Sequence, residues 1–280
     1  LIKIDEKIII APSLSGGDLI EYDCMARQFT RVRSPLPLWT AGMQKRNKAA
    51  FRNVVRYKNS VFFIGNGSGL LVEYDGTRQQ YFYHTEWMSG IIGQISIDRL
   101  VFERYGCFLQ KNILYMVVNE EPFVICLNLD TLQARIHKIP FAARLNYITG
   151  DGNTLWLLSS TDKVMIHWNE GQNSFQKILL TDGCGDFPFC GCIPLKGAID
   201  VFPWDDERLA EIREDGTVHW KTSQDLLDRR GKNIGRISGN LVAFFPKQRR
   251  GFILMFDDNT LMEMDTSTGE VSFHRQKVRP

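Results

Sequence analysis

Three of the six cysteines in this 280-residue chain fall within nine positions: Cys184, Cys190 and Cys192, in the stretch TDGCGDFPFCGCIPL (181–195). Thiols this close could hold a metal ion, form a disulfide, or serve as small side chains in a crowded strand. A structural zinc site generally pairs two Cys-x-x-Cys or Cys/His elements, which the stretch lacks, so a distant residue such as His167 would have to supply the fourth ligand. A Cys184–Cys190 disulfide is the alternative in an oxidising compartment. Cys190 and Cys192, two apart on an expected strand, would point to one side of it. Free scaffold thiols are the expectation, with no metal and no cofactor.

A second group could bind anions. Arg52, Arg104, Arg144 and Arg236 each lie four to nine residues before the Asn of a weak internal repeat, and Lys45, Arg46, Lys48 and Arg56 add charge beside the first. A guanidinium is a planar fork that matches carboxylates, phosphates and acidic sugars. Trp39 and Trp87 fall in segments between strands, where a ring could stack on a sugar or a base. The expected ligand-binding set is therefore Arg52, Arg104, Arg144, Arg236, Trp39 and Trp87. Against it stand two plainer readings: arginine is common at strand ends, and the two tryptophans could be partly buried. Trp156, Trp168, Trp204 and Trp220 lie in or beside strands and read as packing residues.

Catalytic constellations are missing. His84, His137, His167, His219 and His274 fall mostly in the second halves of different repeats, and no His-x-x-x-His or Gly-x-Ser-x-Gly occurs. GNGSG (65–69) has neither the Lys nor the helix of a phosphate loop and reads as a hairpin loop. Asp205-Asp206 and Asp257-Asp258 fall at turns by repeat position.

The elements that would position these residues follow from the repeat. KNSVFFIG (58–65), KNILYMVV (111–118), GNTLWLLS (152–159) and GNLVAFFP (239–246) share an Asn followed by a β-rich run; EKIIIAPS (6–13) and KGAIDVFP (196–203) are degenerate copies. Downstream of each comes a turn acid or amide, in LIEYDC, LVEYDG, LNLDT, IHWNEG, EIREDG and LMFDDN. The runs suit strands buried on both faces, the later segments alternate as half-exposed strands do, and Asp-Gly or Asn-Glu-Gly supplies hairpin turns. The one helical signal is SQDLLDRRG (223–231). Six copies over 280 residues give a period of about 47, which predicts an all-β chain folded as a single six-bladed β-propeller over residues 1–280. A seventh blade using EVSFHR as closing strand is the alternative.

The pattern resembles the broad kelch-like and quinoprotein-like propeller group over nearly the whole chain. The kelch Gly-Gly doublet occurs once, at Gly16-Gly17, and the WD-repeat dipeptides do not recur. The resemblance implies fold and carries no catalytic residue across, because propellers host lyases, hydrolases, oxidoreductases and pure binding platforms.

Composition narrows the partners. A formal net charge of +2 argues against a nucleic-acid binder, and no apolar run approaches the roughly 20 residues of a membrane-spanning helix. LIKIDEKIII lacks the basic and apolar regions of a signal peptide, and with free thiols this leads to the expectation of a cytoplasmic protein. The expected function is a binding platform that recognises a protein, an anionic small molecule or an acidic glycan at the mouth of its central channel. The competing reading is a carbohydrate-active or metal-assisted enzyme, which should gather His, Asp, Glu or Tyr from at least three blades.

Overall fold

The structure, a computed structural model, describes residues 2–11, 18–33, 51–66, 69–95, 99–152, 154–180, 189–204, 208–226, 231, 239–245, 248–255 and 260–275. The chain packs as two units, Leu1–Ile139 and Pro140–Pro280, and each holds three four-stranded antiparallel meanders. In the first unit these are β1 (Ile2–Ile4) to β4 (Gln28–Val32) through β2 (Lys7–Ile10) and β3 (Leu19–Asp23); β5 (Phe51–Tyr57), β6 (Ser60–Gly65), β7 (Leu71–Asp75) and β8 (Gln80–His84); and β9 (Phe102–Gln110), β10 (Ile113–Val118), β11 (Phe123–Asn128) and β12 (Ala134–Lys138). The second unit has β13 (Tyr147–Gly150), β14 (Leu155–Ser159), β15 (Val164–Asn169) and β16 (Ser174–Leu179); β17 (Phe189–Leu195), β18 (Ala198–Pro203), β19 (Arg208–Arg213) and β20 (Val218–Thr222); and β21 (Gly239–Phe245), β22 (Arg250–Met255), β23 (Thr260–Asp265) and β24 (Val271–Arg275). The chain is all-β and has the fold class of a β-propeller. EVSFHR does not open a further sheet: Val271–Arg275 is the fourth strand of the sixth meander, paired with β23.

Side-chain alternation explains why the meanders stack. Phe62 and Ile64 of β6 pack with Trp87, Leu114 and Met116 on one side. Val61 and Phe63, one residue out of phase, pack with Ile9, Leu19 and Tyr74 on the other. A second strand such as β6, buried on both faces, is therefore apolar along most of its length, whereas fourth strands such as β4 are largely exposed. In the second unit Ile193, Phe202 and Leu209 of the fifth meander meet Ile253, Met262 and Met264 of the sixth.

The recurring turn acid has a definite job. At the end of the third strand, the side-chain oxygen of Asp23, Asp75 or Asn128 accepts backbone N–H bonds from the residues two and three positions on. Asp265 accepts from Ser267 in the same way. Short acids and amides make such turns without a partner strand. The residue after each acid then donates its N–H to the turn between the first and second strands: Cys24 to Glu6, Gly76 to Asn59, Leu129 to Asn112 and Thr266 to Arg249. Both hairpin ends of a meander are thereby tied together.

Two expectations change. The sixth copy of the repeat is out of register by one strand: GNLVAFFP is the first strand β21, whereas KNSVFFIG, KNILYMVV, GNTLWLLS and KGAIDVFP cover second strands. The true counterpart is RGFILM, preceded by a turn at Arg249 (φ 51°) like that at Lys58 (φ 52°). The described part of the expected helix over 223–231 is a 3₁₀ turn at Ser223–Asp225, where Thr222 and Asp225 cap each other. Residues 227–230 lie outside the described residues.

Candidate ligand-binding site

Of the six expected site residues, Trp39 and Arg236 lie outside the described residues, and Arg104 is described only as backbone within β9. Arg52 is exposed at the start of β5 and has no side-chain partner among the described residues. The Asn53 amide donates to the Glu103 carbonyl at 3.0 Å, so β5 and β9 run side by side at the residues next to Arg52 and Arg104. In the second unit Arg144 is exposed just before β13, and the neighbouring Ala143 N–H donates to the Asp162 carboxylate at 2.7 Å. Burial alone would raise the Asp162 pKa, but Ser159 and the backbone N–H groups of Ala143 and Arg144 outweigh it and hold the pKa low.

Trp87 requires a correction. Its ring is buried within the first unit's core (1% exposed), and its indole N–H donates to the Gly69 carbonyl at 2.9 Å. A 3₁₀ turn at Glu86–Gly90 folds the ring inward, so it offers no stacking surface. Trp156 and Trp168 are buried as expected, whereas Trp204 is 42% exposed.

The polar residues inside the meanders follow the repeat. Glu21, Glu73, Glu211 and Glu263 occupy one rung of the third strand, opposite Ile9, Phe62, Asp200 and Phe252. Each acid is compensated. Lys7 lies 3.5 Å from Glu21, Ser60 donates to Glu73 at 2.6 Å, and Arg250 lies 3.4 Å from Glu263. From the fourth strand, His84 approaches Glu73 at 3.0 Å, and Lys221 pairs with Glu211. His84, His137, Lys221 and His274 share the fourth-strand rung that completes this pattern. Three of the five histidines thus mark one structural position. His167 sits on the acid's rung in the fourth meander and stacks on Trp156 at 4.1 Å, and His219 stands opposite Glu211.

The fifth meander breaks the pattern in three places. Asp200 stands where the other meanders place Ile9, Phe62, Tyr115, Trp156 and Phe252. Ala198 replaces the rung of Lys7, Ser60 and Arg250. Arg213 replaces the turn acid of Asp23, Asp75 and Asp265. Asp200 is fully buried, lies 3.5 Å from Lys221, and leaves one carboxylate oxygen without a partner among the described residues. Burial pushes its pKa up to about 7, with Lys221 offsetting only part of that. Burial works against the Lys221 ammonium too, but Asp200 and Glu211 outweigh it and hold that pKa above the ordinary lysine value.

Beside this cluster, a groove of about 400 Å³ opens between the fifth and sixth meanders. Lys196, Ala198, Glu211, Arg213 and Lys221 line it, with Ser267 and Thr268 from the β23–β24 turn. No sequence signal pointed here, because the groove depends on small or uncharged residues at rungs where other meanders carry bulk or charge.

The two described thiols of the cluster lie in the packed interior. Cys190 and Cys192 are free and buried, and Cys184 lies outside the described residues. Cys190 has no disulfide partner among the described residues. A bulge between Phe189 and Gly191 breaks the simple alternation, so Cys190 joins the cluster of Ile193 and Phe202, while Cys192, adjacent to Ile193, does not. The Cys190 sulfur is 3.4 Å from the Phe202 carbonyl. Burial pushes the Cys190 pKa up to about 12 and raises that of Cys192 well above the ordinary thiol value.

No protein-family model and no curated protein matches the sequence. Solved structures do match the fold. A streptogramin B lyase aligns with a TM-score of 0.62 at 11% identity, over 99% of this chain and 82% of that one. The virginiamycin B lyase of Staphylococcus aureus aligns with a TM-score of 0.60 at 11% identity, over 97% and 84%. The extracellular domain of a protein assigned as a one-component system in B. thetaiotaomicron aligns with a TM-score of 0.57 at 10% identity, over 98% of this chain and 35% of that one. At these identities the likeness shows a β-propeller and is not specific to the kelch-like group.

Proposed function

We propose that this propeller is a non-catalytic binding platform that recognises an anionic ligand, such as the carboxylate of an acidic sugar, through arginines near the starts of its first strands. The observation that carries the reading is Arg52: an exposed, unpartnered guanidinium beside the Asn53–Glu103 contact that brings the strand of Arg104 alongside. Arg144, exposed before the first strand of the fourth meander, is its counterpart in the second unit. An unpaired guanidinium gives up no existing ion pair on binding, and its planar fork matches a carboxylate or phosphate. The strongly shifted acid, Asp200, and its partners Glu211 and Lys221 come from one meander, whereas a channel enzyme would draw its groups from several.

Thermal-shift titration with glucuronate and galacturonate tests the reading. Bound ligand raises apparent stability by mass action; Arg52→Ala and Arg144→Ala should each reduce that response. An unchanged response in both variants rules the reading out.

A further inference from the structure

Lys58 and Lys196 occupy the same place in two meanders, each at the turn between first and second strands. Over Lys58 lies Asp130, two residues past the turn amide Asn128, with an ammonium–carboxylate distance of 2.6 Å. The residue two past the turn acid Asp265 is Ser267, and the Lys196 N–H donates to the carbonyl of Thr266 beside it at 3.1 Å. The backbone contact brings the same two turns together, but the acid is gone. Among the described residues, the Lys196 side chain has no partner.

The rung below changes in the same sense. Where the sixth meander pairs Arg250 with Asp265 at 3.3 Å, the fifth has Ala198 opposite Arg213, so the cation now stands on the third strand, 3.6 Å from Glu211, and the bulk across from it is gone. Lys196, Arg213 and Lys221 thus face a groove in which Glu211 is the one carboxylate on the lining. Glu211 stays ionised: burial opposes this, but Lys221 and Arg213 outweigh it. Glu211 serves both Lys221 and Arg213, Asp200 draws on Lys221 from behind, and the charge of Lys196 is left uncompensated.

We propose that this groove binds a phosphate-type dianion, with Lys196 and Arg213 as its ion-pair partners and the Thr268 hydroxyl as a hydrogen-bond donor. The Thr268 oxygen accepts the Glu270 N–H at 3.2 Å, which leaves its own proton free to donate. Ser267 gives its proton to Asp265 at 2.5 Å, so its contribution is the absence of a charge. Lys221 is held by Glu211 and Asp200 and forms the wall of the site. A volume of about 400 Å³ exceeds that of a bare ion and lies in the range of small-molecule pockets, so it suits a phosphomonoester as well as free phosphate. The site is independent of Arg52.

Isothermal titration of the intact chain with inorganic phosphate and with glycerol 1-phosphate, at constant ionic strength in chloride, is the test. Saturable binding is expected, weakened about tenfold or more by Lys196→Gln and by Ser267→Asp, and within about twofold of wild type in Arg52→Ala. Ser267→Asp places an acid over Lys196 as Asp130 lies over Lys58, but removes the Ser267–Asp265 hydrogen bond, so a modest fall in Tm is expected alongside the lost affinity. Tighter binding of glycerol 1-phosphate identifies the ester as the ligand, and tighter binding of phosphate identifies the free ion. The proposal falls if wild type does not saturate below about 10 mM, if both Lys196→Gln and Ser267→Asp bind as well as wild type, or if Arg52→Ala alone abolishes binding.

Discussion

The Nε2 atom of His274 lies 2.9 Å from Oε2 of Glu263. The same contact recurs at 3.0 Å between His84 and Glu73, and Lys221 takes the histidine's rung beside Glu211. A third-strand acid held by a fourth-strand base is thus part of how these meanders are built. Among the described residues, it is joined by a buried carboxylate in the fifth meander, where Asp200 also approaches Lys221.

That arrangement makes Lys221 costly to remove. Lys221→Met would leave Glu211 and the buried Asp200 without their shared cation, at an expected cost of about 2 kcal/mol, below the range for fully buried pairs because Lys221 is partly exposed. Asp200→Ile restores the residue type found at Ile9 and, as Phe, at Phe62 and Phe252, so the double variant should recover most of the loss. Urea denaturation of the two single variants and the double variant measures the coupling. Strictly additive effects would show that the two side chains do not act together.

Asp200 also gives stability a pH dependence. An unfolded aspartate titrates near pH 3.9, whereas burial holds this one up to about 7. Between these values the folded chain keeps a proton that the unfolded chain has released. The group's contribution is therefore full below about pH 4 and is lost as pH rises through 7. Asp200→Asn cannot ionise and escapes this loss, with Lys221 and Glu211 still paired beside it. Relative to wild type, its Tm should climb between pH 5 and pH 8, by an amount reflecting at most about 3 kcal/mol. A constant Tm difference across that range would contradict the assignment.

Much of the fold is legible because turn chemistry and strand burial are local. Asp23, Asp75 and Asn128 close hairpins by bonding the N–H groups just beyond them, so the sequence shows the turn directly. The sixth copy slips by one strand because Gly239-Asn240 imitates the Asn before a second strand, while the actual turn is carried by Arg249. The groove had no such local sign. Lys196, Ala198 and Arg213 meet Ser267 and Thr268 from the next meander, and what sets them apart is the missing acid and the missing bulk, visible only once the rungs are aligned. Trp87 reads as a loop residue because Thr85 and Glu86 precede it, yet the Gly69 carbonyl accepts its indole proton inside the core.

Trp87→Phe should accordingly act on stability and not on binding. The substitution leaves the buried Gly69 carbonyl without its donor, which costs about 1–3 kcal/mol, and Trp87→Ala adds a cavity for a total of about 3–5 kcal/mol. Gly69→Ala should be worse tolerated than an ordinary loop substitution, since φ is +64° and a Cβ there would overlap the Met88 sulfur at 1.7 Å. Denaturation midpoints report the loss, while anion affinity measured well below each Tm should stay at the wild-type value. A selective loss of affinity in Trp87→Phe would return the ring to the ligand site.

The thiols of Cys190 and Cys192 should be silent in the folded protein. Attack on an alkylating or disulfide reagent requires a thiolate, and burial holds the Cys190 pKa at about 12, so only a small fraction of its thiol is ionised at pH 8. Cys192 is fully buried and shifted the same way, with the neighbouring Cys190 adding to the effect. Access compounds chemistry, because Cys190 packs with Ile193 and Phe202 and Cys192 is fully buried. Peptide mapping after a timed iodoacetamide pulse at pH 8 should leave both unlabelled in native protein and label both in urea. Native labelling of either at the rate of a free thiol would mean that β17 opens locally, and the stretch would then regain a claim to redox chemistry.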